Sequence, residues 1–273
     1  KENDVSSALL DRVIFHHIPT DSSWTRDFGP IFVRDADGNQ VITDWIFNSW
    51  GGKYPPWNHD DVVPQHVSKI FRLPFVQPGI VLEGGSIDIN GKGTLLTTEQ
   101  CLLNQNRNPH LNRQQIERYL NEFLGATNVL WLKEGIIGDD TDGHIDDIAR
   151  FVDANTVVCA LEENESDENY EILKRNFADL KKMRDQDGNP LNVIAIPMPD
   201  PVIYEGTRLP ASYANFYITN RVVMVPIFRC GHDESAIKIL RELFPTREVI
   251  GIDCVDLVWG LGTLHCSTQQ QPG

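Results

Sequence analysis

Apolar and polar residues fall into the same order four times along the chain. The first stretch, Gly29-Pro-Ile-Phe-Val-Arg34, predicts a strand. It turns at Asp37-Gly38-Asn39 into Gln40-Val-Ile-Thr-Asp-Trp-Ile-Phe47, and an Asp-Gly between apolar runs signals a hairpin. A loop rich in proline and aromatics (Trp50 to Trp57) and a helical pattern over Val62–Phe71 follow. The second stretch pairs Ser86-Ile-Asp-Ile89 with Thr94–Thr98 across Asn90-Gly-Lys-Gly93. Leu111, Ile116, Tyr119, Leu120, Phe123 and Leu124 then form a helical stripe closed by Gly125, and Val129–Leu132 reads as a strand. In the third, His144–Val152 and Thr156–Leu161 flank a turn at Asp153–Asn155. A helix capped by Ser166 or Asp167 carries Tyr170, Leu173, Phe177 and Leu180, and the strand Asn192–Ile196 ends at Pro197 and Pro199. The fourth runs Asn215–Ile218, a turn at Thr219-Asn220, Val222–Phe228, a helix over Asp233–Phe244 and a strand from Glu248. A strand at Cys266 opens a fifth unit and stops.

Hairpin, helix and strand thus recur at intervals of roughly 50–65 residues, a sign of internal repetition. A doubly wound parallel sheet would alternate strands and helices without repeated hairpins. The hairpins favour a radial α/β array. With no linker and no low-complexity segment, residues 1–273 read as one domain.

Composition narrows the class. With 273 residues, 41% of them hydrophobic, the chain can bury a sizeable core. The formal net charge of −15 and the lack of a dense Lys/Arg run argue against nucleic acid and for a cationic ligand. Five cysteines (101, 159, 230, 254 and 266) form no CxxC pair and no zinc spacing. Their odd number fits a reducing cytoplasm. No apolar run is long enough to span a membrane. The opening Lys-Glu-Asn-Asp-Val-Ser-Ser lacks a signal-peptide pattern.

Polar clusters sit at one phase of the repeat, at or just before each first hairpin strand. They are Trp24-Thr-Arg-Asp27, Glu83-Gly-Gly-Ser86, the acidic run 139–147, Tyr213-Ala-Asn215 and His265-Cys266. In a radial array such positions converge on one axis. Cys266 follows a turn bracketed by Gly260 and Gly262, which lets the backbone take positive φ, and its polar neighbours suit a nucleophile better than a core strand.

Five of the nine residues in 139–147 are Asp. A solvated acidic loop or a calcium loop is the plain reading, but the EF-hand order is missing. On a strand, His144 and Asp146 share a face. A lone histidine is more often structural; one beside a carboxylate points to chemistry. His144, Asp146, His265 and Cys266 are zinc-type ligands, but no closely spaced pair supports a metal. Trp24 could be a core residue, and Asp27 could pair with Arg26. Glu83 reads as a loop carboxylate bonding backbone donors, and Asn104–Pro109 as a polar loop.

A thiol, a histidine and several carboxylates would be a poor papain-like set, because carboxylates oppose a thiolate and repel an oxyanion. A guanidinium substrate reverses this. Its planar cation takes carboxylates in fork geometry, stacks on an indole, and stabilises the thiolate that attacks it.

The motifs Trp24–Pro30, Leu82–Ser86, Thr97–Pro109, Thr141–Asp146, Ala211–Tyr217 and His265–Gln270, in this order over nearly the whole chain, resemble the agmatine deiminases and the related Porphyromonas-type peptidylarginine deiminases. The resemblance implies a pentein fold, a five-bladed α/β propeller with pseudo-fivefold repeats around a central site. It implies Cys266 as nucleophile, His144 as acid/base, Asp27 and Asp146 as the carboxylates gripping the guanidinium, and Trp24 against the substrate. Asp140 stands where agmatine deiminases often carry Glu, facing the far amine. The resemblance also implies hydrolysis of agmatine to N-carbamoylputrescine and ammonia without cofactor or metal. The expected partner is a small cationic guanidinium compound, not nucleic acid or a membrane, and a homo-oligomer is compatible with it. Family chains begin with a longer N-terminal segment, so this one reads as truncated, with part of the N-terminal blade missing. A deiminase of peptidyl or free arginine is the nearest rival. Behind it stand an amidinotransferase, a non-catalytic pentein such as a ribosome anti-association factor, and a calcium-binding module.

Overall fold

The computed structural model describes residues 12–272. The expectations for Lys1–Ser7 and for the N-terminal segment lie outside the described residues.

Four three-stranded sheets repeat one plan. An antiparallel hairpin comes first, a helix crosses over, and a third strand returns parallel to the second. The first unit comprises β1 (Ile31–Arg34), β2 (Gln40–Thr43), α1 (Val63–Phe71) and β3 (Phe75–Val76). The second comprises β4 (Asp88–Ile89), β5 (Thr94–Thr98), α2 (Arg113–Leu124) and β6 (Asn128–Leu132). The third is built from β7 (Ala149–Phe151), β8 (Thr156–Leu161), α3 (Tyr170–Leu180) and β9 (Asn192–Pro197). An extra hairpin, β10 (Ile203–Tyr204) with β11 (Thr207–Arg208), precedes the fourth unit of β12 (Tyr217–Ile218), β13 (Val222–Ile227), α4 (Asp233–Leu243) and β14 (Glu248–Asp253). The mixed α/β order matches the predicted repeat.

Local chemistry explains these elements. The central strands β5 and β8 are buried along almost their whole length, which fits near-continuous runs such as Thr-Val-Val-Cys-Ala-Leu. Asn112 and Gln115 form a reciprocal capping box at the start of α2. Gly125 ends that helix at φ 67°, a left-handed geometry that favours glycine. For α3 the capping position is Asn169, not Ser166 or Asp167. Asp167 instead accepts from the Asn169 amide and pairs with Arg208.

The predicted strands at the chemically loaded phase are a correction. Ser86, His144–Asp147, Asn215 and Cys266 are not on strands. Residues 84–86, 145–147 and 213–215 form single 3-10 turns, and 25–28 forms one α-turn, each just ahead of its hairpin. Glycines and short polar side chains that bond nearby backbone favour such turns over a sheet ladder. Successive turns pack on one another, 25–28 on 84–86, 84–86 on 145–147, and 145–147 on 213–215. The segment ending at Cys266 touches both ends of that series. The His265 amide donates to Asn215 O at 3.2 Å, and the Arg26 amide donates to Cys266 O at 3.0 Å.

Candidate active site

The stacked turns aim their side chains into one cavity of about 340 Å³, whose walls include Trp24, Asp27, His144 and Cys266 deep inside and Tyr54, Asp140 and Trp259 toward the mouth. Asp146 does not line it. Asp147 does, and Asp146 stands one step behind, with Oδ2 3.8 Å from Cys266 Sγ.

Each deep residue is held by groups distant in sequence. Asp27 Oδ1 accepts from the Gly85 amide at 3.0 Å, and Oδ2 accepts from Trp50 Nε1 at 2.9 Å. His144 Nδ1 lies 3.6 Å from Asp27 Oδ1. Arg26 does not pair with Asp27; its guanidinium donates to His265 O and Gln269. A β-carbon on Gly85 would sit 2.6 Å from His144 Nδ1 and 2.7 Å from Asp27 Oδ1, so only glycine permits this convergence.

Asn215 organises the thiol. Its Nδ2 donates to Cys266 Sγ at 3.1 Å and to Asp147 Oδ1 at 3.0 Å. Its Oδ1 accepts from Thr263 Oγ1 at 2.7 Å and the His265 amide at 3.0 Å. His265 in turn bonds Asp146 Oδ2 through Nδ1 at 2.6 Å, leaving Asp146 Oδ1 buried without a partner.

The bracketing glycines serve a purpose other than the expected one. The positive φ falls on Leu261, at 68°, and not on Gly260 or Gly262. Those two glycines make room for Trp24, because a β-carbon on either would meet the indole at 2.8 Å. Trp24 therefore underlies the turn before Cys266 as well as facing the cavity.

The acidic run divides by role. Asp139 accepts from the amides of Thr141, Gly143 and His144, fixing the loop. Asp142 is occupied by Arg107, Asn106 and Lys53. Asp140 alone of these three reaches the cavity, where it accepts from the Tyr54 hydroxyl.

Sequence reasoning missed several partners. Glu83 does not bond backbone donors; it is fully buried and takes Arg107 Nε at 2.6 Å. The Glu83 carboxylate, the Cys101 thiol and the His144 ring lie within 4.8 Å of one another. Arg107 also donates to Asp142 and Thr141 O, so this buried side chain of the Asn104–Pro109 loop ties the Glu83 loop to the His144 loop. Position in the repeat was the available signal for Glu83 and Asn215. Adjacency to Cys266 was the one for His265.

Electrostatics follow from burial. Desolvation pushes the Cys266 thiol well up, and Asp146, Asp147 and Asp27 add to it. The same burial, reinforced by Asp146, raises the Asp27 carboxyl, and it pushes Asp146 up to about 7 against the pull of Arg150 and Arg26. His144 is driven well down, chiefly by burial and then by Arg107. Burial thus favours the neutral thiol of Cys266 and the neutral imidazole of His144. A bound cation would favour both the ionised carboxylates and the thiolate.

Comparison with known proteins agrees with this chemistry. The chain is 40% identical over 256 residues to a Legionella pneumophila (strain Paris) protein named "Putative agmatine deiminase", covering 93% of this chain and 74% of that one. A Porphyromonas gingivalis structure described as a "Putative Arginine Deiminase" superposes with a TM-score of 0.94 at 41% identity, over 98% of this chain and 80% of that chain. A cysteine-to-serine variant of C. jejuni agmatine deiminase with substrate bound gives a TM-score of 0.88 at 40% identity, over 94% and 75%. Residues 1–272 match the family described as Porphyromonas-type peptidyl-arginine deiminase, and with that match spanning every turn that builds the cavity, the chain belongs to this family.

Proposed function

We propose that the protein hydrolyses the guanidinium group of agmatine, giving N-carbamoylputrescine and ammonia. The observation that carries this reading is the convergence of Cys266, His144 and Asp27 on one cavity whose lining holds no Lys or Arg, with Asp146 just behind Cys266 and its Oδ1 partner-free. The substrate-bound C. jejuni agmatine deiminase, at 40% identity, supports it.

In the proposed mechanism, Asp27 and Asp146 orient the guanidinium. A carboxylate oxygen 3.8 Å from the sulfur is within reach of a nitrogen on the carbon being attacked. Trp24 presents a ring to the planar cation. Bringing in the cation lowers the cost of ionising Cys266, and its proton passes to His144. Sγ bonds to the central carbon. The C–N bond breaks as His144 gives its proton to departing ammonia, leaving a thiouronium ester. His144 then takes a proton from water as the oxygen attacks. The C–S bond breaks, releasing the ureido product and regenerating the thiol. No step needs a metal or an organic cofactor.

The far end of the cavity favours agmatine over arginine. Asp140 offers a carboxylate to a distal ammonium, whereas the α-carboxylate of free arginine would meet no Lys or Arg among the lining residues. Peptidyl arginine is the second reading, favoured by the half-exposed Trp259 at the mouth. A ureido-product assay across agmatine, arginine and an arginyl peptide decides among them. The proposal predicts the highest kcat/KM for agmatine, and preference for either of the others would overturn it.

The same reading makes residues 1–273 one catalytic domain with five radial blades. It is supported by the four repeated sheets and by the contacts of the Cys266 segment with the first and fourth turns. Five free cysteines support a reducing cytoplasm. Among the described residues no helix is long and apolar enough to cross a membrane. Light scattering would test the proposed homo-oligomer.

A further inference from the structure

A second cluster of metal-type ligands lies outside the catalytic cavity. Cys230 and His232 sit in the turn between β13 and α4, and Asp200 follows β9 on the neighbouring unit. One ligand atom from each comes within 4.8 Å of the others. The cysteine-only reading of the sequence passed over this Cys230-Gly231-His232 spacing. We propose that Asp200, Cys230 and His232 form a surface site for a thiophilic divalent cation, with Zn²⁺ the best match.

The ligand types and the spacing both support it. A thiolate, an imidazole and a carboxylate suit zinc, whereas oxygen-only sets suit calcium and magnesium. Zinc bonds of about 2.0–2.3 Å in tetrahedral geometry place ligand atoms about 3.3–3.6 Å apart. His232 Nδ1 and Asp200 Oδ1 are already 3.4 Å apart. The Sγ atom must close the remaining gap, and the two exposed side chains, His232 and Asp200, have room to meet it.

The surroundings fix the position of the sulfur. Cys230 is the one partly exposed cysteine; the other four are buried. The Tyr213 hydroxyl stands 3.2 Å from its sulfur. Asp233 holds the turn by accepting from the amides of Phe228 and Cys230 at 3.0 and 3.1 Å and from Tyr213 at 2.6 Å. Its Oδ1 lies 3.7 Å from Cys230 Sγ and adds negative charge beside the ligands without being one of them. Three protein ligands leave a fourth position for water. Binding would release the thiol proton to solvent as the metal–sulfur bond forms. A bare ion pair between His232 and Asp200, with the thiol a bystander, is the competing account.

Co²⁺ and Zn²⁺ titrations of the full chain separate the two. Expected is one equivalent of Co²⁺ with a thiolate-to-metal charge-transfer band in the near ultraviolet, displaced by Zn²⁺. Cys230→Ser should abolish the band, and His232→Ala should weaken Zn²⁺ binding by about tenfold or more. Cys266→Ala should keep the band, which sets this site apart from the catalytic thiol. All these side chains but Cys266 lie outside the catalytic cavity, so the result does not depend on the deiminase reading. A protein with no band, or a band that survives Cys230→Ser or disappears with Cys266→Ala, would overturn the proposal.

Discussion

The two ends of the catalytic cavity are built on different principles. At the inner end, Asp27, His144 and Cys266 are buried with Asp146 behind them, and Asp27, Asp146 and Cys266 are each bonded to a segment far away in sequence. At the mouth, Asp140, Tyr54 and Trp259 come from loops and turns and are at least partly exposed; the Tyr54 hydroxyl bonds Asp140, and Trp259 stacks on Tyr204 at 4.4 Å. An over-determined interior suits a reaction that tolerates little displacement. A lightly held rim suits adjustment of the substrate's distal part without disturbing the chemistry. Substitutions should therefore act on different kinetic constants at the two ends.

The largest effect is expected from Cys266→Ala. Turnover should vanish while agmatine still binds, because only the bond-forming atom is lost. Activity within about tenfold of wild type would rule out the covalent route.

Next come the carboxylates. Asp27→Asn and Asp146→Asn should each cost roughly 1.5–3 kcal/mol in kcat/KM, as expected for a charge-assisted hydrogen bond. Asp147→Asn sharpens the comparison. This carboxylate lines the cavity but faces Asn215, so it should cost less than either; a larger loss would make Asp147 the second arm of the clamp.

The pH dependence gives a third test. Burial pushes Asp146 up to about 7 and raises Asp27 as well, and the proposed clamp needs both ionised, so kcat/KM should climb as the pH rises through that region. The folded-state value of Asp146 is raised. Its contribution to stability is therefore complete below the unfolded value of about 4 and is lost as the pH rises through about 7. Agmatine should accordingly raise Tm more at about pH 8 than at about pH 5. An equal shift at both would mean that the substrate does not bind the ionised carboxylate.

The smallest effect belongs to the rim. Asp140→Asn should raise KM for agmatine and leave a guanidine without the distal amine unchanged. Equal changes for both compounds would assign Asp140 to loop support through Tyr54.

The same contrast governs what could be read from the sequence. Elements with clear periodicity, such as the β4–β5 hairpin and α2, are where the pattern places them. β3 has two exposed residues and β10–β11 has two-residue strands, too short for any period to register. Cys266, His144 and Asp27 stand in short motifs and could be found. The phase of the repeat points to Asn215 and Glu83, but their partners, like those of Arg107, are contacts that no local pattern encodes. The His144–Asp146 pairing was anticipated on a strand. The residues do converge, but on a 3-10 turn that leaves Asp146 behind the cavity wall.

The docking of Cys266 against Arg26 joins residues 240 positions apart, and Thr25 Oγ1 reaches Ser267 O across 242. Ribosomes make proteins from the N-terminus, so Asp27, Glu83 and His144 leave the exit tunnel well before the sulfur does. Until residue 266 is added, the first and fourth turns lack the segment that bonds to both of them.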